Sequence, residues 1–383
     1  MKKLIVSHNF IRRSLGEDGR NVYLVFFAAM VFAAGAANPA WGTTYTAIDL
    51  NPSGFTTSYA FGVSGTQQAG YGSGSATGYY CHALLWNGSA TGYVDLNPIE
   101  FSSSYAYSTN GIQQVGWGGV PITVYTLYDH AFLWSGSAAS CVDLNPNGFD
   151  NSYAYGTNGT QQVGYGNGKA TGYGGDHALL WNGSPDNYVD LNPSGFGKSR
   201  AFDISGTQQV GSGYWPATHY DHALLWNGSA ETCVDLNPTG FSQSYAYSIS
   251  GTQQVGCGDG QALLWNGSAD SYVNLTPAGF YGSVAYGTNG TQQVGYGEIT
   301  SNHAHALLWN GSAENYIDLH QFLPGNFTNS FAEGIDINGN IVGYATDDMG
   351  ANSHAILWQP IPEPATICLL TFGGLTLLRR KTA

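Results

Sequence analysis

Six histidines recur at one position of a repeated pentapeptide: His82, His130, His177, His222, His305 and His354, each opening a run of the type His-Ala-Leu-Leu-Trp. Imidazole titrates near neutrality and ligates metals, so such a set, brought to one point, could hold a cation or move protons. The seventh copy carries Gln261 instead, and a site that needs every member does not tolerate an amide in one of them. The pattern therefore favours a scaffold role, with the imidazole hydrogen-bonded to a backbone group or to a nearby aspartate. Asp129, Asp176 and Asp221 stand directly before three of the six. A second series, Asp49, Asp95, Asp143, Asp190, Asp235 and Asp318, sits just before turns that mostly read Asn-Pro, with Asn274 as the one replacement. An aspartate there accepts backbone N–H bonds and stiffens the turn. Calcium through oxygen ligands is the alternative, and Asp336-Ile337-Asn338-Gly339-Asn340 is a loose echo of a calcium loop. That loop, however, aligns with ordinary Asn-Gly hairpins in the other copies.

Catalysis in a repeated array should break the repeat. The off-pattern polar residues Glu100, Lys198, Arg200, Glu298, Glu314, Glu333, Asp347 and Asp348 yield no nucleophile–base pair and no metal triad by spacing. Nor do the five cysteines show metal-ligand spacing. Cys141 and Cys233 occupy a position where other copies have Tyr93, Tyr188 and Tyr272, so they read as packing residues. No catalytic, cofactor-binding or metal-ligating residue is assigned.

The elements that carry these residues follow from the same repeat. The tryptophans ending the pentapeptides, Trp86, Trp134, Trp181, Trp226, Trp265, Trp309 and Trp358, fall 39 to 49 residues apart. A period of that size built from short β segments marks a β-propeller. One unit shows the scheme. Ser152–Gly156 alternates as a strand, and Asn158-Gly159 turns the chain, since that dipeptide accepts the positive φ of a hairpin. Gln161–Tyr165 is a second strand and 166–176 a variable glycine-rich loop. His177–Trp181 is the third strand and Tyr188–Leu191 the fourth, and Asn192-Pro193 ends it because proline cannot extend a central strand. At the ends of the array, Tyr45–Leu50 reads as a fourth strand with no third before it, and His354–Trp358 as a third with no fourth after it. The expected architecture is an all-β, seven-bladed β-propeller of four-stranded blades over residues 43–360, with the N-terminal strand completing the last blade. An open β-solenoid is the alternative.

Of 383 residues only 9% are charged, 14% are aromatic and 54 are glycine. The formal net charge is −14. Between Tyr45 and Trp358 the basic residues are Lys169, Lys198 and Arg200, against 22 Asp and Glu. Such a surface repels phosphate backbones and excludes nucleic acid as a partner. It attracts cations.

Both ends read as addresses, with apolar helical segments expected in each. In residues 1–42, basic residues (Lys2, Lys3, Arg12, Arg13, Arg20) precede the apolar run Val22–Ala37, and small-residue patterns follow at Ala34-Gly35-Ala36 and Ala40-Trp41-Gly42. This is the form of an export signal, with an uncleaved anchor as the alternative. In residues 361–383, Pro362-Glu363-Pro364 leads into the apolar Ile367–Leu378 and then Arg379-Arg380-Lys381. The trailing cations hold that end on the cytoplasmic side, and the apolar stretch is short for a full span. The tail resembles the PEP-CTERM sorting signal of Gram-negative bacteria. That resemblance implies recognition by an exosortase, a transient membrane anchor, and delivery to the cell surface or exopolysaccharide matrix.

The array itself resembles the HAF repeat of bacterial extracellular proteins, on His130-Ala131-Phe132 and, in the last unit, Ala332–Gly339, Ile341–Tyr344 and His354–Trp358. It departs from that family's Asp-Leu-Gly linker, having Asp-Leu-Asn-Pro in its place. The family has no established activity, so the resemblance implies shape and location only. The function expected is a non-enzymatic surface or matrix protein that binds polysaccharide or another surface component. Trp117, Tyr125, Tyr128, Tyr173, Tyr214 and Trp215, read as lying in the variable loops, are the candidate ligand contacts. An extracellular glycan-active lyase or hydrolase is a second reading, which perturbed carboxylates in a central channel would favour. A passive adhesion element is the third.

Overall fold

A computed structural model describes residues 44–123, 126–172, 174–347 and 352–361. The strands between Tyr45 and Pro360 group into seven antiparallel sets of four. Blade 3 is representative, with strands Asn151–Thr157, Gln162–Asn167, His177–Trp181 and Tyr188–Asp190 paired in chain order. The first strands of the other blades are Phe55–Ser64, Ser104–Thr109, Lys198–Ser205, Ser244–Ser250, Gly282–Thr288 and Asn329–Ile335. Blade 7 takes its fourth strand from the start of the chain, Tyr45–Asp49, which runs antiparallel to Ser353–Pro360. Blades 7 and 1 also share a parallel bridge between Thr57 and Ser353, which merges them into one eight-stranded sheet. Among the described residues, helix is confined to short 3-10 turns such as Leu319–Phe322. None is long and apolar enough to cross a membrane. The apolar segments expected to be helical at the two ends, and the sorting residues Pro362, Glu363, Pro364, Arg379, Arg380 and Lys381, lie outside the described residues.

The pentapeptide is apolar on both faces because both faces are covered. In a strand, alternate side chains point to opposite sides. Ala83 and Leu85 of blade 1 pack with Phe132 and Trp134 of blade 2, and Ala131 and Leu133 of blade 2 with Leu179 and Trp181 of blade 3. The same arrangement recurs round the molecule. At the junction of blades 7 and 1, Ala355 and Leu357 pack with Leu84 and Trp86. All seven tryptophans are fully buried. Full burial of side chains this large stabilises each junction by several kcal/mol on the usual transfer scale of about 25 cal/mol per Å².

A polar lock accompanies each junction. A buried serine on the first strand of one blade accepts the N–H of the pentapeptide alanine in the blade before it: Ser104 from Ala83, Ser152 from Ala131, Ser199 from Ala178, and so on to Ser58 from Ala355, at 3.0 to 3.1 Å in these four. The last of these joins blade 7 to blade 1. Asp336 adds to it by accepting the Gly65 N–H at 2.9 Å. Asp336 also accepts from the Asn338 and Asn340 N–H groups and from Asn340 Nδ2. Both carboxylate oxygens therefore face N–H donors, and the loop that echoes a calcium site works as a hairpin clasp.

Each first strand carries a bulge, as between Ala246 and Ser248 in blade 5. Opposite it lies the glycine of the Gln-Val-Gly segment, Gly256. A Cβ on Gly256 would fall inside the contact radius of the Tyr245 carbonyl oxygen, and the equivalent glycines of the other blades meet the same obstacle. This close approach, not a turn, is why the second strands carry glycine there.

Candidate functional site

The repeated histidines are placed by the third strands, away from the axis. Their partner is the aspartate thirteen residues on, in the fourth strand, and not the aspartate directly before them. His82 Nδ1 bonds Asp95 Oδ2 at 2.7 Å, and the same bond joins His130 to Asp143, His177 to Asp190, His222 to Asp235, His305 to Asp318 and His354 to Asp49. Consecutive residues of a strand face opposite ways, which keeps the preceding carboxylates from the imidazoles. Asp129 and Asp221 instead accept from the hydroxyls of Tyr153 and Tyr245 in the next blade, and Asp176 takes the Arg200 guanidinium. The other carboxylate oxygen of the paired aspartate accepts the backbone N–H two residues later, as the turn chemistry predicts: Asp190 from Asn192 at 2.8 Å. In blade 5 both partners change together, to Gln261 and Asn274, which bond through their amides.

These pairs are blade fasteners, and the chain supplies its own control. Asp190→Ala removes the acceptor of two hydrogen bonds and is expected to cost about 1–2 kcal/mol. The double substitution His177→Gln with Asp190→Asn, which rewrites blade 3 as blade 5, is expected to stay within about 0.5 kcal/mol of the parent. Denaturant unfolding of both variants checks this. A double variant as damaged as Asp190→Ala would show that charge is needed.

The axis of the ring holds a different set. One residue after the buried alanine of each first strand, the chain places Phe61, Tyr107, Tyr155, Phe202, Tyr247, Tyr286 and Glu333. These seven line an open axial bowl of about 520 Å³, together with the residues that follow them, among them Ser108, Asp203 and Ser248. The six aromatic rings touch in sequence from Phe61 to Tyr286, with centroids 4.8 to 5.9 Å apart. Glu333 interrupts the circlet. Its carboxyl has no hydrogen bond or ion pair among the described residues, and burial alone pushes its pKa up to about 8. Asp203 is also raised by burial, opposed by bonds from the Ile249 and Ile204 N–H groups and the Ser248 hydroxyl. Burial pushes the Tyr107 phenol up to about 12 and raises those of Tyr155, Tyr247 and Tyr286 further. All four phenols are neutral donors at neutral pH. Among the described residues, no Lys, Arg or His lines the bowl.

Of the candidate contacts named from sequence, the four described ones, Trp117, Tyr128, Tyr214 and Trp215, lie in strands of blades 2 and 4 and none lines the axial bowl. Trp117 lies in the second strand of blade 2, not in a loop. It stacks on Tyr105 at 4.1 Å and meets Tyr153 edge-on at 5.2 Å, packed between blades. Tyr128 is half-buried in the third strand of that blade. Tyr214 and Trp215 end the second strand of blade 4. The Tyr214 hydroxyl bonds His219, and Trp215 packs on Phe196. Tyr125 and Tyr173 lie outside the described residues. Lys198 and Arg200 sit near Tyr214 and line a small pocket of about 190 Å³, with Arg200 held against Asp176 and over the Tyr165 ring. Cys141 and Cys233 are free and half-buried, as packing residues should be, and burial pushes each thiol up to about 12. No cluster of three His, Cys, Asp or Glu suited to a metal occurs among the described residues.

Sequence reasoning had noted Glu333 only as an off-pattern residue. The signal that locates it is a column across the repeats, in which the residue after the first-strand alanine is aromatic six times and carboxylic once.

No protein-family model matches the sequence, and comparison with curated proteins gives no match. Solved structures do resemble the fold. A puromycin hydrolase superposes with a TM-score of 0.52 at 11% identity, over 78% of this chain and 53% of that one. An acylaminoacyl peptidase superposes with a TM-score of 0.50 at 9% identity, over 79% and 51%. The chain spans about half the length of these proteins. At such identities the likeness is one of fold alone; the β-propeller itself is read from the seven four-stranded antiparallel sets described above.

Proposed function

We propose that this protein is an exported, non-enzymatic β-propeller of the bacterial cell surface or exopolysaccharide matrix, sorted through its C-terminal tail by an exosortase, and that it binds a glycan in the axial bowl. The observation that carries the binding role is the circlet of six aromatic side chains, interrupted by the Glu333 carboxyl, that lines the bowl. Ring faces stack on the apolar faces of sugars, and phenol and carboxyl groups orient the hydroxyls. The variable-loop aromatics are not needed for it. The address rests on the two terminal segments alone.

A glycan-active enzyme is the second reading, favoured by the raised pKa of Glu333 in a cleft. Against it, the other axial carboxylate, Asp203, spends its oxygens on three donors and belongs to blade 4, across the ring from blade 7.

The test is binding of the purified protein to the exopolysaccharide of its host and to an oligosaccharide panel, with calcium and with chelator. Saturable binding that Tyr247→Ala weakens about tenfold or more, and that chelator leaves unchanged, is expected. Replacing Pro362, Glu363 and Pro364 by alanine is expected to retain the protein in the membrane fraction. Absence of sugar binding, or normal surface delivery of that variant, would remove the corresponding half of the proposal.

A further inference from the structure

The geometry of the bowl points to its ligand carrying an ammonium group, which sits against the ring faces with the Glu333 carboxylate as its counter-ion. This deepens the binding role proposed above and rests on the bowl being its site. Three observations converge. First, among the described residues the lining holds two carboxylic residues and no cation. Second, six aromatic side chains surround the space, and the electron-rich ring face is the protein surface that best accepts an alkylammonium removed from water. Third, among the described residues Glu333 is the one carboxyl there without a hydrogen-bond or ion-pair partner. Asp203 beside the bowl, Asp336 at the ring closure and Asp176 under Arg200 all have their oxygens engaged. The carboxyl is half-buried and faces the open bowl without a donor among the described residues, and in six of seven blades an aromatic residue occupies its place. The arrangement makes sense if something else supplies the missing charge. The acidic exterior draws cations toward the bowl, and about 520 Å³ accommodates a sugar ring or a quaternary ammonium.

Desolvation among the aromatic side chains raises the Glu333 carboxyl to about 8, so at pH 7 its protonated form predominates in the free protein. Binding then proceeds as carboxylic acid plus ammonium giving the carboxylate–ammonium pair and one proton released to solvent. Below about pH 8 each binding event releases that proton and affinity rises with pH. Above it the carboxylate is preformed, and for a ligand of fixed charge the dependence ends. The groups around Glu333 do not titrate in this window. Tyr286 and Tyr296 of blade 6, Tyr344 of its own blade and Tyr107 across the bowl are all raised by burial, and Phe61 stands on the blade 1 side. Glu298, His303 and His305 of blade 6 line no part of the bowl.

The experiment is titration calorimetry of the full-length protein with four probes: a glucosamine tetramer with free amines, its N-acetylated counterpart, cellotetraose and tetramethylammonium. Runs at pH 6, 7.5 and 9 use two buffers of different ionisation heat. At pH 6 the free-amine tetramer is expected to bind at least about tenfold tighter than the other two sugars. Tetramethylammonium, whose charge does not titrate, is expected to show proton release at pH 6 that vanishes at pH 9, whereas the tetramer, having lost its own amine protons by pH 9, binds more weakly there. Glu333→Gln and Glu333→Tyr are expected to abolish that preference. Both should fold, since Glu333 makes no hydrogen bond and tyrosine is what four other blades carry. Both should melt higher than the parent at pH 9, because a carboxyl whose folded pKa is raised loses stability as pH climbs from its unfolded value toward the folded one. Equal binding of the neutral sugars, unaffected by Glu333→Gln, overturns the ammonium inference and leaves the glycan reading standing. Binding of tetramethylammonium alone, lost in Glu333→Gln, supports the ammonium site and removes the glycan. Failure of all four probes overturns both.

Discussion

Deleting residues 45–49 from the full-length chain is expected to leave little soluble, folded protein. That strand contributes five register pairs to Ser353–Pro360, the Asp49 bond to His354 and the buried Tyr45, and it delivers the buried Leu50 to the junction of blades 7 and 1. Two large apolar side chains and a ladder of hydrogen bonds amount to about 5 kcal/mol or more. That is comparable with the whole stability of an ordinary domain, about 5–15 kcal/mol. The loss also bares the edge of Ser353–Pro360, and a bare edge recruits another strand. A synthetic peptide spanning residues 44–51 should restore the monomer by strand addition. Size-exclusion chromatography and thermal unfolding read both effects. A deletion variant that stays monomeric with the parent's melting temperature would mean that the seventh blade is complete without its borrowed strand.

Gly256→Ala is the second substitution expected to be severe, although it adds one carbon to a residue of the commonest kind in this chain. The new Cβ would collide with the Tyr245 carbonyl across the bulge, a backbone atom that has no rotamer to escape into. Overpacking of this kind costs about 3 kcal/mol or more, and here it separates the first two strands of a blade. Gly325→Ala is the matched control, since a Cβ there meets nothing within 4 Å. It should be neutral in the same unfolding experiment. If the two variants melt alike, the second-strand glycines owe their place to something other than the close approach.

The fold was legible because its period was written in large residues. The pentapeptides marked the third strands, Asn-Gly pairs marked hairpins, and the mismatch between Tyr45–Leu50 and His354–Trp358 disclosed how the ring ends meet. Reading along one strand failed where the interaction ran between strands. The histidines were matched with Asp129, Asp176 and Asp221, their neighbours in sequence, whereas the antiparallel fourth strand brings Asp143, Asp190 and Asp235 alongside. The site was harder to read for a related reason. Tyr128 looked like a loop residue because blade 2 has unusually long second and third strands, Gln114–Thr123 and Thr126–Trp134, whereas Trp117 stands in the column of Tyr165, inside the ordinary second strand. Glu333 gains its meaning only when the first strands converge on an axis, and one sequence read end to end does not show which column faces that axis.

The Ile361 N–H donates to the Thr44 carbonyl at 3.0 Å, so the first and last described residues of the propeller adjoin, with Tyr45 opposite Pro360. This has a mechanical consequence. Force that drags these two points apart loads the terminal pair of the ladder first and alone, then the next, so the seventh blade unzips at low tension. A pull on the C-terminal side only, against drag on the disc, loads Ser353–Pro360 along its length, where it is flanked on both sides and shares the strain with its neighbours. The molecule is strong when hung from one end and weak when stretched between both.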